Sequence, residues 1–345
     1  MIEKIIGGEF EILDAPIAAN KKLPKLPENY IMYSSGRAAL FHILKYAISI
    51  DNCKCVYLPD YICDSVFHVC DYLCLPYKFY PVADSLQVDV DALKKMYMGG
   101  GVIVVVNYFG LVSCELTIKQ IRKECSDAII VLDDVQAPFL INEPTNADVS
   151  FTSLRKAYPL PDGGLVHLKS FRLSPNTQPS KFPQYKIAAS YLKNLRVHDN
   201  YDDEIYLDLY HKGEELIDDD YDNAPSKYTL QSYPSLDIQR MSILRKRNAV
   251  TIQKGLQRLG LKPCVAIPKD SVPLFIPIIL KDRDKVRKAM YAHNIFLPVH
   301  WSVEEHVEEL KRGVYMAKHE LSIIIDHRYT SSDMEKILSV LENNI

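Results

Sequence analysis

The stretch Ile129-Ile130-Val131-Leu132-Asp133-Asp134-Val135-Gln136 decides the fold class. Four consecutive large apolar residues lack the polar alternation of a strand with one wet face. They describe a strand covered on both sides, as in a parallel sheet with helices on each face. Two acids follow at its carboxyl end, where ligands sit in open α/β sheets. Strand alternation sends the Asp133 and Asp134 side chains to opposite faces, so only one can address a given ligand. Either can instead serve as a turn cap.

Working outward, residues 102–107 (VIVVVN) repeat the pattern and run into Asn107-Tyr108-Phe109-Gly110. That segment offers an amide beside two aromatics, or is a strand-to-loop turn with core aromatics. Ala39, Leu40, Ile43, Leu44, Ala47 and Ile48 form an amphipathic helix stripe, with Ser34-Ser35-Gly36 before it as a cap and turn signal. Further strands are predicted at 55–58, 77–80, 149–151 and 164–168, and helices at 63–73, 90–97 and 115–125. Residues 170–240 are rich in Tyr, Asp and Pro and carry a helix over about 203–217. A long helix from Ile238 leads to a strand at 274–280, a helix at 281–293, a strand at 321–325 and a helix at 332–341. The expected architecture is a three-layer α/β/α domain over 1–240 with a mostly parallel sheet. A smaller C-terminal α+β domain follows over 241–345, with the first segment, 1–30, packing near it.

A length of 345 residues suits one large domain and a smaller one. A net charge of −3 gives no electrostatic case for nucleic acid or an anionic membrane surface. No apolar run approaches the ~18 residues needed to cross a bilayer, and the start MIEKIIGGEF does not read as a leader peptide. A cytoplasmic protein is expected. The eight cysteines contain no C-x-x-C pair or zinc-like spacing, so neither a metal site nor a structural disulfide is predicted.

Twenty residues beyond the first aspartate, Ser153-Leu154-Arg155-Lys156 is followed by Pro161-Asp162-Gly163-Gly164. A lysine in such a loop, taken alone, is a solvated side chain. Here it sits three residues after a serine and before glycines that permit close backbone approach to a ligand. Desolvation beside cationic Arg155 would lower its amine pKa and favour imine chemistry. Ser35-Gly36-Arg37 opens a helix, whose free amides and dipole suit a phosphate. A lysine amine, a carboxylate and phosphate donors are the groups that hold pyridoxal 5′-phosphate. His300-Trp301, with the chain's only tryptophan, is either core packing or a site wall.

The chain resembles the fold-type I pyridoxal-phosphate enzymes, and among them the DegT/DnrJ/StrS-type sugar aminotransferases. The matching segments are Ser35-Gly36-Arg37-Ala38-Ala39-Leu40, Pro59-Asp60-Tyr61, Asn107-Tyr108-Phe109-Gly110, Asp133-x-x-Gln136 and Lys156 with Gly163-Gly164. Residues 295–301 and Asp326-His327-Arg328-Tyr329 are also similar. The resemblance implies Lys156 as the Schiff-base lysine and Asp133 at the ring nitrogen, with Gln136 near the phenolic oxygen. It implies Ser35, Gly36, Arg37 and Ser153 at the phosphate, Asn107 near the ring and Tyr61 stacked on it. It further implies a homodimer acting on a nucleotide-linked keto sugar, with glutamate or glutamine as amino donor. The chain departs from the family at Pro161-Asp162, where Gly-Glu is usual, and lacks the usual histidine before the lysine. No segment in 220–240 matches the partner-subunit phosphate loop. Elimination or decarboxylation at the same cofactor, or a non-catalytic scaffold, are the alternatives.

Overall fold

The computed structural model describes residues 4–12, 25–50, 53–199, 203–301 and 310–345. Its strands are β1 (Ile6–Gly7), β2 (Tyr30–Tyr33), β3 (Val56–Pro59), β4 (Tyr77–Tyr80), β5 (Val102–Val106), β6 (Ile129–Asp133), β7 (Val149–Ser153), β8 (Gly164–Leu168), β9 (Phe275–Ile279), β10 (Ile295–Phe296) and β11 (Glu320–Ile324). The helices are α1 (Gly36–Ser49), α2 (Asp64–Tyr72), α3 (Val90–Met96), α4 (Cys114–Glu124), α5 (Phe182–Asp199), α6 (Asp203–Asp218), α7 (Lys227–Ser232), α8 (Ile238–Arg258), α9 (Arg283–Ala292), α10 (Lys311–His319) and α11 (Ser331–Glu342).

Seven strands form the main sheet in the order β2-β8-β7-β6-β5-β3-β4. The run from β4 to β7 is parallel, and β8 lies antiparallel to both β7 and β2. Every residue of β5, β6 and β7 is buried. Because successive side chains point to opposite faces, complete burial means that both faces are covered. This is the three-layer arrangement expected from the continuous apolar runs.

A second core forms where β9 and β11 pair antiparallel and receive α8, α9 and α11. Ile252, Leu256, Ile276, Leu321, Ile323, Ile337 and Leu338 are almost fully buried there. Ile6 joins this core because β1 pairs in parallel with β10. The Lys4 ammonium also pairs with Asp333 of α11 at 2.7 Å.

Five elements were not expected from the sequence: β1, β2, α5, α7 and α10. In α5 the apolar residues are scattered around the helix, and Pro183 stands in the first turn, where a missing N–H is tolerated. The strand-like run IFLPV pairs only at Ile295 and Phe296. Pro298, which has no N–H to extend a ladder, instead accepts from the Ser322 amide at 3.0 Å. Among the described residues no helix is long and apolar enough to cross a membrane.

Candidate active site

Asp133 ends β6 and Ser153 ends β7, next to it in the sheet, so both side chains emerge at the carboxyl edge. The N-terminus of α1 closes against them. A Cβ on Gly36 would stand only 3.2 Å from Ser153 Cβ, so glycine sets how near this helix approaches. The Ser35 hydroxyl accepts from the Ala38 amide at 3.0 Å and is occupied as the helix cap. Gly163-Gly164 serves the same junction. The Gly163 amide donates to Ser34 O at 2.7 Å, and a Cβ on Gly164 would collide with Ser35 O. The close approach these glycines permit is therefore to the backbone of the helix cap, not directly to a ligand. Asp162 is buried and accepts from the Ser226 and Thr229 hydroxyls at the start of α7.

A cavity of about 620 Å³ opens at this edge. The main sheet contributes Asp133, Gln136, Ser153 and Lys156, and α1 contributes Gly36 and Arg37, with Ser35 just before it. Arg245, Arg287, His300, Trp301, Asp326 and Arg328 line the cavity as well, together with Glu9 and Phe10 of the N-terminal segment.

The two adjacent aspartates have separate environments. Asp133 faces the cavity and accepts from the Val135 amide at 2.9 Å. Among the described residues no cation pairs with it, and burial pushes its pKa up to about 7. Asp134 turns away and accepts from the Asn107 side-chain amide at 3.0 Å. Burial pushes Asp134 up to about 8. Gln136 borders the cavity with its Oε1 held by the Phe109 amide at 3.0 Å, and its buried Nε2 has no partner. That Nε2 is a donor awaiting an acceptor.

Lys156 follows β7 through a single tight turn, Leu154–Lys156, and is accessible from the cavity. Among the described residues its amine makes no hydrogen bond or ion pair. The neighbouring Arg155 charge, and then burial, lower its pKa, while Glu214 and Glu9 oppose them. Arg155 itself is held by Glu214 at 3.1 Å and lies 3.6 Å from Glu9. Arg37 donates to Asp218 at 2.6 Å and to Ile217 O at 3.2 Å, which fixes its guanidinium on the last turn of α6.

Of the residues singled out in the sequence, Ser35, Gly36, Arg37, Asp133, Gln136, Ser153 and Lys156 meet at this cavity. Tyr61 and Asn107 do not. A buried tyrosine hydroxyl needs an acceptor, and Tyr61 finds His300 O at 2.6 Å while its ring stacks on Tyr108. Ile62, Cys63 and Asp64 form that part of the cavity wall. Asn107 is drawn behind the sheet edge by Asp134. The sequence reading gave no place to Glu9, Phe10, Glu214, Arg245 or Arg287. Their chain positions are remote from the central motifs, and only a run of charged residues in α6 hinted at Glu214.

No protein-family model matches this sequence, and no curated protein matches it. Solved structures do match in shape. A DegT DnrJ EryC1 StrS aminotransferase from Brucella abortus is 15% identical with a TM-score of 0.62, over 91% of this chain and 85% of that one. A sugar aminotransferase from Micromonospora echinospora is 14% identical with a TM-score of 0.63, over 92% and 88%. The Escherichia coli GDP-4-keto-6-deoxy-D-mannose-3-dehydratase, solved with bound hydrated PLP, is 13% identical with a TM-score of 0.63, over 90% and 87%. These likenesses give the fold: it is that of the fold-type I pyridoxal-phosphate transferases.

Proposed function

We propose that this chain is a pyridoxal-phosphate-dependent aminotransferase that aminates a nucleotide-linked keto sugar, with glutamate or glutamine as amino donor. The observation that carries the reading is one cavity holding a lysine amine and a buried carboxylate, neither with an ionic partner among the described residues. The donor set fits the cofactor. Asp133 would meet a protonated ring nitrogen, which is the missing cation, and Gln136 Nε2 would meet the phenolic oxygen. The first amides of α1, with Ser153 and the Ser35-Gly36-Arg37 turn, would hold the phosphate. When bound, the cofactor supplies an aldehyde for amino-group exchange and a ring that withdraws electrons from the reacting carbon.

Lys156 would anchor the cofactor through Nζ and, once displaced by the donor, move the proton between carbon centres. The Arg155 charge and then burial lower its pKa, the direction that favours the free amine. Asp133, fixed by the Val135 amide, would hold the ring's charge state. Asn107 would act on the ring only through the Asp134 side of the strand. Tyr61 would support the wall through His300 and not by stacking. Arg287, which lines the cavity, would meet an anionic part of the substrate.

The proposal treats 1–240 and 241–345 as two domains with the cavity between them. It also takes the working form to be a cytoplasmic homodimer. Mixing the protein with the cofactor should produce an absorbance band that Lys156→Ala lacks, and borohydride should fix the cofactor's mass on Lys156. An identical spectrum in the variant would overturn the reading. Elimination is the competing reaction, because one structural likeness is a dehydratase. Conversion of bound cofactor to its amine form by glutamate alone selects transamination.

A further inference from the structure

His300 borders the same cavity as Lys156, and behind it lies a short polar chain. Its Nδ1 is 2.8 Å from Ser322 Oγ, which is 2.5 Å from Glu320 Oε1. The His300 main-chain N–H donates to the other carboxyl oxygen at 2.8 Å. Glu320 and Ser322 are two apart on β11 and so share a face. The Ser322 amide also holds Pro298 O, which fixes the segment carrying His300. Among the described residues nothing bonds to His300 Nε2.

A hydroxyl between an imidazole nitrogen and a carboxyl group has one proton to donate, in one direction. With Glu320 ionised, Ser322 donates to Oε1 and accepts from Nδ1–H, which leaves Nε2 bare. With Glu320 protonated, the carboxyl donates to Ser322, Ser322 donates to Nδ1, and the imidazole proton sits on Nε2.

We propose that His300 is the substrate-facing hydrogen-bonding group of this cavity, and that Glu320, acting through Ser322, sets whether its Nε2 donates or accepts. The donor form suits a ketone oxygen and the bare form a sugar hydroxyl. The identity of that ligand rests on the proposed function; the relay does not.

The surroundings allow the tautomer to change without a change in the ring's charge. Burial, and then the Lys156 charge, push His300 down to about 3, so the imidazole stays neutral around neutral pH. Glu320 is pushed up to about 8 by burial, which outweighs Arg283 and Arg287 of α9, the Ser322 hydroxyl and the His300 amide. Tyr61 and Cys264 are the other titratable groups that face it, and both thiol and phenol are raised by burial.

The test is a pH titration of the full-length protein labelled with ¹⁵N-histidine, reading ring tautomers from long-range proton–nitrogen correlations. His300→Gln identifies the His300 signals. In the natural sequence the proton should move from Nε2 to Nδ1 as pH rises through about 8. Glu320→Gln, whose amide donates to Ser322 as the neutral acid does, should hold Nε2–H throughout, and Ser322→Ala should abolish the crossing. A fixed tautomer in the natural sequence overturns the relay, as does a crossing that persists in Glu320→Gln. Neither readout needs the cofactor, so failure of the relay and failure of the aminotransferase reading are separable. In the holoenzyme, Glu320→Gln should remove an ionisation near pH 8 from the turnover profile. Its retention would remove His300 from the substrate contact.

Discussion

The two walls of the cavity treat their charges differently. On the sheet side Asp133 has no cation, Lys156 has no acceptor and Gln136 Nε2 has no partner among the described residues. On the opposite side Arg328 is bound to Asp326 at 2.8 Å, to Glu11 at 3.1 Å and to the Gly8 and Glu9 carbonyls. Phe10 lies under its guanidinium, 4.2 Å away. Buried polar groups left unpaired cost free energy, whereas paired ones with good geometry hold segments together. On the sheet wall Asp133 is buried without a cation and Gln136 Nε2 without a partner among the described residues, while Lys156 is exposed. Arg328 fastens the N-terminal segment Gly8–Glu11 to the wall that carries it.

The sharpest way to break this contrast is to remove the lysine. Lys156→Ala should reduce turnover roughly 10³-fold or more while leaving the thermal midpoint nearly unchanged. A large loss of stability instead would mean that the amine is structural. On the other wall the effects should be reversed. Asp326→Ala removes one of the two carboxylates that hold Arg328 and should cost about 2–3 kcal/mol in denaturant unfolding.

Smaller, and opposite in sign, is the effect of neutralising Asp133. Its folded-state pKa of about 7 lies above the ordinary 3.8, so the folded protein prefers the protonated acid. Without cofactor, folding stability should fall as pH rises from about 4 through 7, by on the order of a few kcal/mol. Asp133→Asn should flatten that fall and be more stable at pH 8, although inactive. A variant less stable at every pH would show that Asp133 is already paired. The smallest change is expected from Arg155→Gln. With the neighbouring charge gone, the acid limb of the rate profile set by Lys156 should move to higher pH.

The sheet was the legible part of this sequence because burial on two faces leaves a signal in the strand itself. Ile129–Asp133 and Val102–Val106 needed no knowledge of their neighbours. The lysine, the first aspartate and the helix cap were equally local, since each is placed by the end of one element. Tyr61 and Asn107 show the limit. Each sits near a strand end, yet its side chain follows a partner, His300 O or Asp134, supplied by packing. The Glu320–Ser322–His300 chain was out of reach for the same reason. Its histidine and its carboxyl group are twenty residues apart and joined only by the register of β11 against the 297–301 segment.

The pairing of Ile6–Gly7 with Ile295–Phe296 has a consequence for how the chain matures. On the ribosome, the N-terminal strand emerges nearly three hundred residues before the one it joins. The main sheet, whose strands end at Leu168, can take shape in that interval. Closing so long a loop adds little entropy beyond closing a moderate one, because the cost grows only logarithmically with length. The order of synthesis thus makes the N-terminal strand one of the last parts of the fold to find its partner.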